Sequence, residues 1–444
     1  MCKNIPTRAC SVLAALMIIP LVASCSHLSD ENQPSAQVPE LVAGNNAFAL
    51  DLYGDLTKAR PKENLVFSPY SVSLALAMTY GGAAGDTAKE MERVLHFTMP
   101  ADDVHSVFAS LQARQKAVFA PKGYELNIAN ALWGQEGFAF HPSYFKLTRD
   151  KYGAALEELD FRAEPEKARH RINAWVEHRT KNKITDLVKK GAIDKDTRLV
   201  LANAIYLKGA WAKQFSKGLT QKDFFRVDAD TKTPIHMMSQ RGRFRYFEDG
   251  ELQFLDLPLG TGGVSMWILL PKQVDGLANL EKSLTDQRLQ KLRMRMNEEA
   301  VTIELPKFKI ESELNLTGSL SKLGMPSAFA MDKADFSKMA AKPGVVLKTV
   351  AHKAYLNVDE TGLEAAAATA VIGKEGAPPP KLVFRADHPF FFVIHESSTG
   401  TILFMGRVHN PGSKEKRASA PGPAAVERAV KVHHKGDPTS AVGA

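Results

Sequence analysis

Residues 359–380 constrain this chain most. Asp359-Glu360-Thr361-Gly362-Leu363-Glu364 leads into four alanines (Ala365, Ala366, Ala367, Ala368), then Thr369 and Ala370. The stretch closes on Ile372-Gly373-Lys374-Glu375-Gly376-Ala377 and three prolines, Pro378, Pro379 and Pro380. Hung between Gly362 and Pro378 it reads as a mobile loop. Laid flat, its small side chains fit a crowded sheet from both faces, where bulky ones clash. Ala is also the best helix former, so an Ala-rich helix competes until the flanks are considered. As a strand the segment places Leu363, Ala365, Ala367 and Thr369 on one uncharged face, and Glu364, Ala366 and Ala368 on the other.

The flanks carry a resemblance. Upstream stands His352-Lys353-Ala354-Tyr355-Leu356-Asn357-Val358; downstream stand Phe384-Arg385-Ala386-Asp387-His388-Pro389-Phe390-Phe391-Phe392 and Ile402-Leu403-Phe404-Met405-Gly406-Arg407-Val408. Far off in sequence are Asn64-Leu65-Val66-Phe67-Ser68-Pro69-Tyr70-Ser71, Asn203-Ala204-Ile205-Tyr206-Leu207-Lys208-Gly209-Ala210-Trp211 and Leu305-Pro306-Lys307-Phe308. Together, in this order and from about residue 43 to 411, they resemble the serpin family. The resemblance implies one α+β domain over residues 43–412, the serpin fold with three β-sheets, about eight or nine helices and an exposed reactive-centre loop. It implies a suicide inhibitor of proteases: the target cuts the loop, forms an acyl-enzyme, and is dragged along as the loop enters the large sheet as a new strand. Position by position, Gly362, Leu363, Glu364, Ala365, Ala366, Ala367, Ala368 and Thr369 resemble the hinge. Ser71, Asn203 and His352 resemble the polar cluster under the middle of the sheet, though each also serves as an ordinary buried polar group that needs a partner. Lys307 and Glu360 resemble an ion pair at the top of the sheet beside Trp211. Leu363 departs from the family pattern, which has Thr or Ser there; it is neutral, so insertion is expected to survive, with its bulk slowing entry or favouring premature partial insertion.

Two family spacings converge on the bait. About fourteen residues on from Gly362, and about eight back from Phe384, both reach Gly376. The expected reactive bond is Gly376-Ala377, with Lys374 as the alternative reactive residue. Gly suits elastase- or subtilisin-like serine proteases with shallow pockets; Lys374 would suit a trypsin-like one. Papain-like cysteine proteases are a second target class.

The 57 basic residues exceed the 49 acidic ones by 8, and loss of Lys3 and Arg8 with an N-terminal signal leaves 6. The charges are scattered, which argues against a nucleic-acid partner. Residues 11–23 form an apolar run too short to span a membrane and typical of a secretory signal. It ends in Leu21-Val22-Ala23-Ser24-Cys25, which resembles a lipoprotein cleavage box. Residues 1–24 then read as signal peptide, Cys25 as the lipidated residue, and 25–42 as a flexible tether carrying Pro34 and Pro39. Cys2 and Cys10 leave with the signal, so Cys25 has no disulfide partner. An ordinary secreted protein with an incidental Cys is the competing reading. The expected protein is exported, membrane-anchored and monomeric. Residues 413–444 read as a disordered tail, and His433-His434 within it is too weak a pair for a metal site.

No Gly-x-Ser-x-Gly, His-Glu-x-x-His or Walker loop occurs, so no catalytic residue, cofactor or metal is expected. The rival function is a non-inhibitory member of the family serving as a surface binding or scaffolding lipoprotein. Between the tails, residues 173–188 fit an amphipathic helix ending at Gly191, and 199–207 and 264–270 fit strands covered on both faces.

Overall fold

The computed structural model describes residues 36–120, 124–154, 156–364 and 381–413. Cys25 and most of the tether, Ala365 to Thr369, Lys374, Gly376, Ala377, and the tail with His433 and His434 lie outside these residues.

Helix α1 (Val38–Ala59) carries Pro39 in its first turn, where a missing N–H costs nothing. Val38, Leu41 and Val42 are buried. Residues 38–42, expected as the end of a flexible tether, are instead packed helix. Strand β1 (Leu65–Phe67) leads into α2 (Pro69–Tyr80). Ser68 caps α2 by accepting the Ser71 N–H at 3.1 Å, and Pro69 opens the helix. Every residue of α2 is buried.

Next come α3 (Gly85–Val94), α4 (Ala101–Val118), β2 (Tyr124–Gln135), α5 (Pro142–Tyr152), β3 (Leu156–Leu159) and α6 (Pro165–Arg179). The helix expected to run through Val188 ends at Arg179, because side chains close the backbone differently there. Lys181 and Asn182 take positive φ. The Thr180 hydroxyl accepts the Ile184 N–H at 3.2 Å, and the Asn173 amide clasps Val188 N–H and C=O at 2.8 and 2.9 Å. Ile184, Leu187 and Val188 are buried by this fold-back instead of by further helical turns.

The remaining elements are β4 (Leu199–Ala210), β5 (Gln221–Arg226), β6 (Lys232–Glu248), β7 (Leu252–Leu259), β8 (Val264–Pro271), α7 (Leu277–Lys282), α8 (Asp286–Met294), β9 (Asn297–Pro306) and β10 (Phe308–Asn315). After them come α9 (Thr317–Leu323), β11 (Leu347–Val358), the short β12 (Gly362–Leu363), β13 (Leu382–Arg385), β14 (Phe390–Glu396) and β15 (Ile402–Val408). Nine strands run in the order β1-β15-β14-β8-β7-β6-β9-β13, with β5 also on β6. Strand β6 changes neighbours along its length, pairing with β5 at 232–237, β9 at 237–246 and β7 at 245–248. It thereby joins two sheets. The third has the order β10-β11-β12-β4-β2-β3. Three sheets and, among the described residues, nine α-helices make the serpin-like α+β architecture expected.

Helix α2 lies against β2 and β4 on one side and β15 on the other. Strand β4 is covered twice, as its apolar run demands. Leu199, Leu201, Ile205 and Leu207 join the main core, while Val200, Ala202 and Ala204 pack with Ile172, Val176, Leu187 and Val188 under α6 and the fold-back after it.

Candidate functional site

The site is a fork between two strands of the six-stranded sheet. Strands β4 and β11 run parallel and pair directly from Leu347↔Leu199 up to Tyr355↔Tyr206. Above that point they part, and β12 sits between them, antiparallel to both. Leu363 pairs with Gly209 of β4 and Val358 of β11, and Gly362 with Ala210. Leu363 is completely buried in the main core. The start of the expected loop is thus already a short strand in the fork.

Local chemistry holds it there. The Asp359 carboxylate accepts the N–H groups of Thr361 and Gly362 at 2.8 and 3.3 Å, forming a tight turn. Gly362 has φ 148°, and a Cβ at this position would stand 2.1 Å from the Gly209 carbonyl oxygen. Only glycine fits. The Trp211 indole N–H donates to the Asp359 carbonyl at 2.8 Å, and the Trp211 and Phe215 backbone N–H groups reach the Thr361 and Glu360 carbonyls, each at 2.9 Å. Lys307 meets Glu360 at 2.8 Å, and the Thr220 hydroxyl takes its other oxygen at 2.9 Å. Burial alone would raise the Glu360 carboxyl, but the hydrogen bonds from Lys307 and Thr220 outweigh it and hold the group below the usual carboxylate value. Lys307, Glu360 and Trp211 are therefore brought together at the top of the sheet. Glu364, at φ 49°, turns to the opposite face from Leu363 and pairs with Lys183 of the segment after α6.

Below the fork lies a polar row. His352 of β11, Asn203 of β4 and Asn130 of β2 are successive cross-strand neighbours. The Ser68 N–H donates to His352 Nε2 at 3.1 Å, so the ring proton sits on Nδ1 and is given to Asn203 Oδ1. The Asn203 amide donates in turn to the Ser71 carbonyl and hydroxyl at 2.8 and 2.7 Å and to Asn130. Ser71 donates to Asn130 Oδ1 at 3.0 Å. Burial pushes the His352 imidazole down to about 3, so it is neutral and its Nε2 lone pair is free to accept. Adjacent strands are about 4.8 Å apart, so a strand entering between β4 and β11 must break the His352–Asn203 bond.

Ser71, Asn203 and His352 thus meet as expected, but Asn130 and Ser68 complete the cluster and were missed. Asn130 is a polar residue in an otherwise apolar half of β2, and Ser68-Pro69 is a helix-start signature; both signals stand in the sequence. Lys183 was also missed, and nothing local marks it. Among the described residues no group of His, Cys, Asp and Glu is placed to hold a metal ion.

A family model described as Serpin (serine protease inhibitor) matches residues 43–411. The leukocyte elastase inhibitor A of Rattus norvegicus is 38% identical over 380 residues, covering 84% of this chain and 100% of its own. Serpin B6 of Macaca fascicularis is 40% identical over 378 residues, covering 84% and 99%. Among solved structures, a highly specific serpin of the insect Tenebrio molitor superposes with a TM-score of 0.74 at 32% identity, covering 86% of this chain and 99% of that one.

Proposed function

The chain belongs to the serpin family, and on that premise we propose that it inhibits serine proteases by letting its cut loop enter the sheet between β4 and β11. The observation that carries this reading is β12: two residues of the hinge lie antiparallel between those strands, at the open end of the seam.

Register arithmetic supports it. Leu363 opposite Gly209 sets one antiparallel pairing rule on β4, and Leu363 opposite Val358 sets a second on β11. Continued downward, both rules bring Ala365 between Leu207 and Leu356, Ala367 between Ile205 and Ala354, and Thr369 between Asn203 and His352. The two rules agree, since Asn203 and His352 are each other's partners. The bond that must break at the seam is therefore met by a hydroxyl that can satisfy both sides. Full entry exchanges one parallel ladder for two antiparallel ones, which are slightly better per residue. A dozen or so added backbone bonds at about 1 kcal/mol each give a drive of order 10 kcal/mol. That rivals the whole stability of an ordinary domain.

The bait is the Gly376-Ala377 bond, with Lys374 as the alternative, and the targets are elastase- or subtilisin-like. Export and a lipid anchor on Cys25 place the inhibitor at the cell envelope. The rival reading, a non-inhibitory surface lipoprotein, is favoured by one observation: Leu363 and the Lys183–Glu364 pair hold the hinge shut. Incubation with elastase-, subtilisin-, trypsin- and papain-like proteases, read on a denaturing gel, separates the two. A covalent complex supports inhibition. Loop cleavage without complex, and without a rise in melting temperature, supports the rival.

A further inference from the structure

On the face of the sheet turned to α6, four cross-strand pairs close the seam between β4 and β11 below the fork. They are Thr349–Val200, Ala351–Ala202, Lys353–Ala204 and Tyr355–Tyr206. Residues two apart share a face of a strand, and Val200, Ala202, Ala204, Ala351 and Tyr355 all pack on the apolar cluster under α6. Thr349 and Val200 meet at the far end from the fork. Ala202 and Ala204 reach little across the seam. Lys353 leans the other way, its ammonium on Glu311 of β10 at 2.6 Å and on the Thr185 carbonyl at 2.9 Å. Of the four pairs only Tyr206 and Tyr355 set two large side chains against each other, with ring centroids 6.5 Å apart and planes inclined at 54°.

The second observation is where this pair stands. It is the last one joined directly, and above it β12 already lies between the strands. A ladder opened from its end parts one pair at a time, so Tyr206–Tyr355 is the next contact to break when the fork deepens. Tyr206 is buried. Tyr355 is held from its other edge too, since Lys309 of β10 brings its ammonium to 5.0 Å from the ring centre. Strands β10 and β4 flank β11 on opposite sides, so the Tyr355 ring is fixed between a cation and a second ring. An aromatic pair of this kind is worth about two- to tenfold in an equilibrium, and the cation adds about two- to fivefold.

We propose that Tyr206 and Tyr355 are the gate of the seam, and that the contact between their rings sets how fast a strand can enter between β4 and β11. The gate rests on strand entry as the working step of this protein and adds the pair that limits that step. Entry carries the two strands from one spacing of about 4.8 Å to two. That parts the rings before the His352–Asn203 bond is touched, three residues lower on each strand. The contact is between rings, so Phe in place of Tyr355 holds it and an aliphatic side chain of similar bulk does not.

The test uses the full chain and has two readouts. Peptide-resolved hydrogen exchange follows residues 203–207 and 352–356 in the uncut protein, with β14 as internal reference. Tyr355→Leu, which keeps apolar bulk under α6, should raise seam exchange over the reference by about two- to tenfold. Lys309→Gln, at an exposed position, should raise it about twofold or more. Tyr355→Phe should restore the protection, and Lys146→Gln, on α5, should match wild type. The second readout is the ratio of covalent complex to cleaved chain on a denaturing gel with an elastase-like protease. It should rise in the same order, because a freer gate lets entry outrun deacylation. Wild-type seam exchange in Tyr355→Leu, a rise shared equally by β14, or failure of Tyr355→Phe to restore protection would each overturn the gate. So would a raised exchange with an unchanged gel ratio, when wild type does form complex. A wild-type chain that is cut with neither complex nor a gain in melting temperature overturns strand entry itself, and the gate with it.

Discussion

Replacing Leu363 with Ser tests what holds the hinge in the fork. The side chain is fully buried and lies in one apolar cluster with Leu207, Leu259 and Val358. Withdrawing a leucine from water is worth about 2 kcal/mol. Serine recovers almost none of this and brings a hydroxyl that needs a partner. The backbone pairs of β12 remain available in the variant, so the loss falls on the side chain alone. At 1.4 kcal/mol per tenfold, the ratio of undocked to docked hinge should rise about thirty-fold. The amide to follow is that of Glu364, which donates to the Asn357 carbonyl at 3.0 Å only while the hinge is docked. Its hydrogen-exchange protection should drop by that factor, with the amides of β14 in the rear sheet unaffected. Inhibition of an elastase-like protease should quicken, by at most the same factor. The cleaved form should melt lower than cleaved wild type, because the inserted strand buries the same residue. An unchanged Glu364 amide in a variant of wild-type melting temperature would sink the argument, and would put the docking energy in the backbone and the Lys183–Glu364 pair.

Ala367→Glu places a carboxylate on the inward face opposite Ile205 and Ala354, at a cost of several kcal/mol; the variant should be cut as a substrate, and undiminished covalent complex would refute the insertion register. Neutral His352, held down to about 3 by burial against about 6.5 unfolded, confers stability that is whole above pH 6.5 and is lost as pH falls toward 3, because the unfolded chain takes the proton first. Between pH 7.5 and 4.5 the wild-type melting temperature should therefore fall further than that of His352→Gln, and parallel slopes would remove His352 as the cause. Cys25→Ser should abolish detergent-phase partitioning and leave inhibition intact; equal partitioning ends the lipoprotein reading. Gly376→Arg should shift inhibition toward trypsin-like enzymes, with the released fragment beginning at Ala377; a fragment beginning at Glu375 would make Lys374 the bait.

Much of this was legible because polar residues in apolar strands are expensive and therefore mean something. Asn203 stands out in a strand buried on both faces, and His352 and Ser71 are its counterparts on the next strand and the helix beneath. Asn130 bears the same mark in β2, but no flanking motif drew attention to it. Lys183 could not be read, because its partner Glu364 is far off in sequence and the two meet only after the segment following α6 folds back. That fold-back was itself misread. Ile184, Leu187 and Val188 have helical spacing, yet Thr180 and Asn173 offer the backbone better partners than another turn. The two prolines near the N-terminus suggested tether throughout, while Pro39 opens a helix. For Leu363 the sequence is evenly poised between loop and strand, and only the parting of β4 from β11, a tertiary event, decides.

The fork above Tyr206 and Tyr355 makes time a variable for this molecule. On the proposed mechanism, a seam with its first two residues in place can go on closing without any cut, and the result is a chain that has spent its stored energy on nothing. Such a molecule ages. Its working life on that mechanism is set by temperature and by the grip of β13 on β9, where Leu382 to Arg385 pair with Val301 to Glu304.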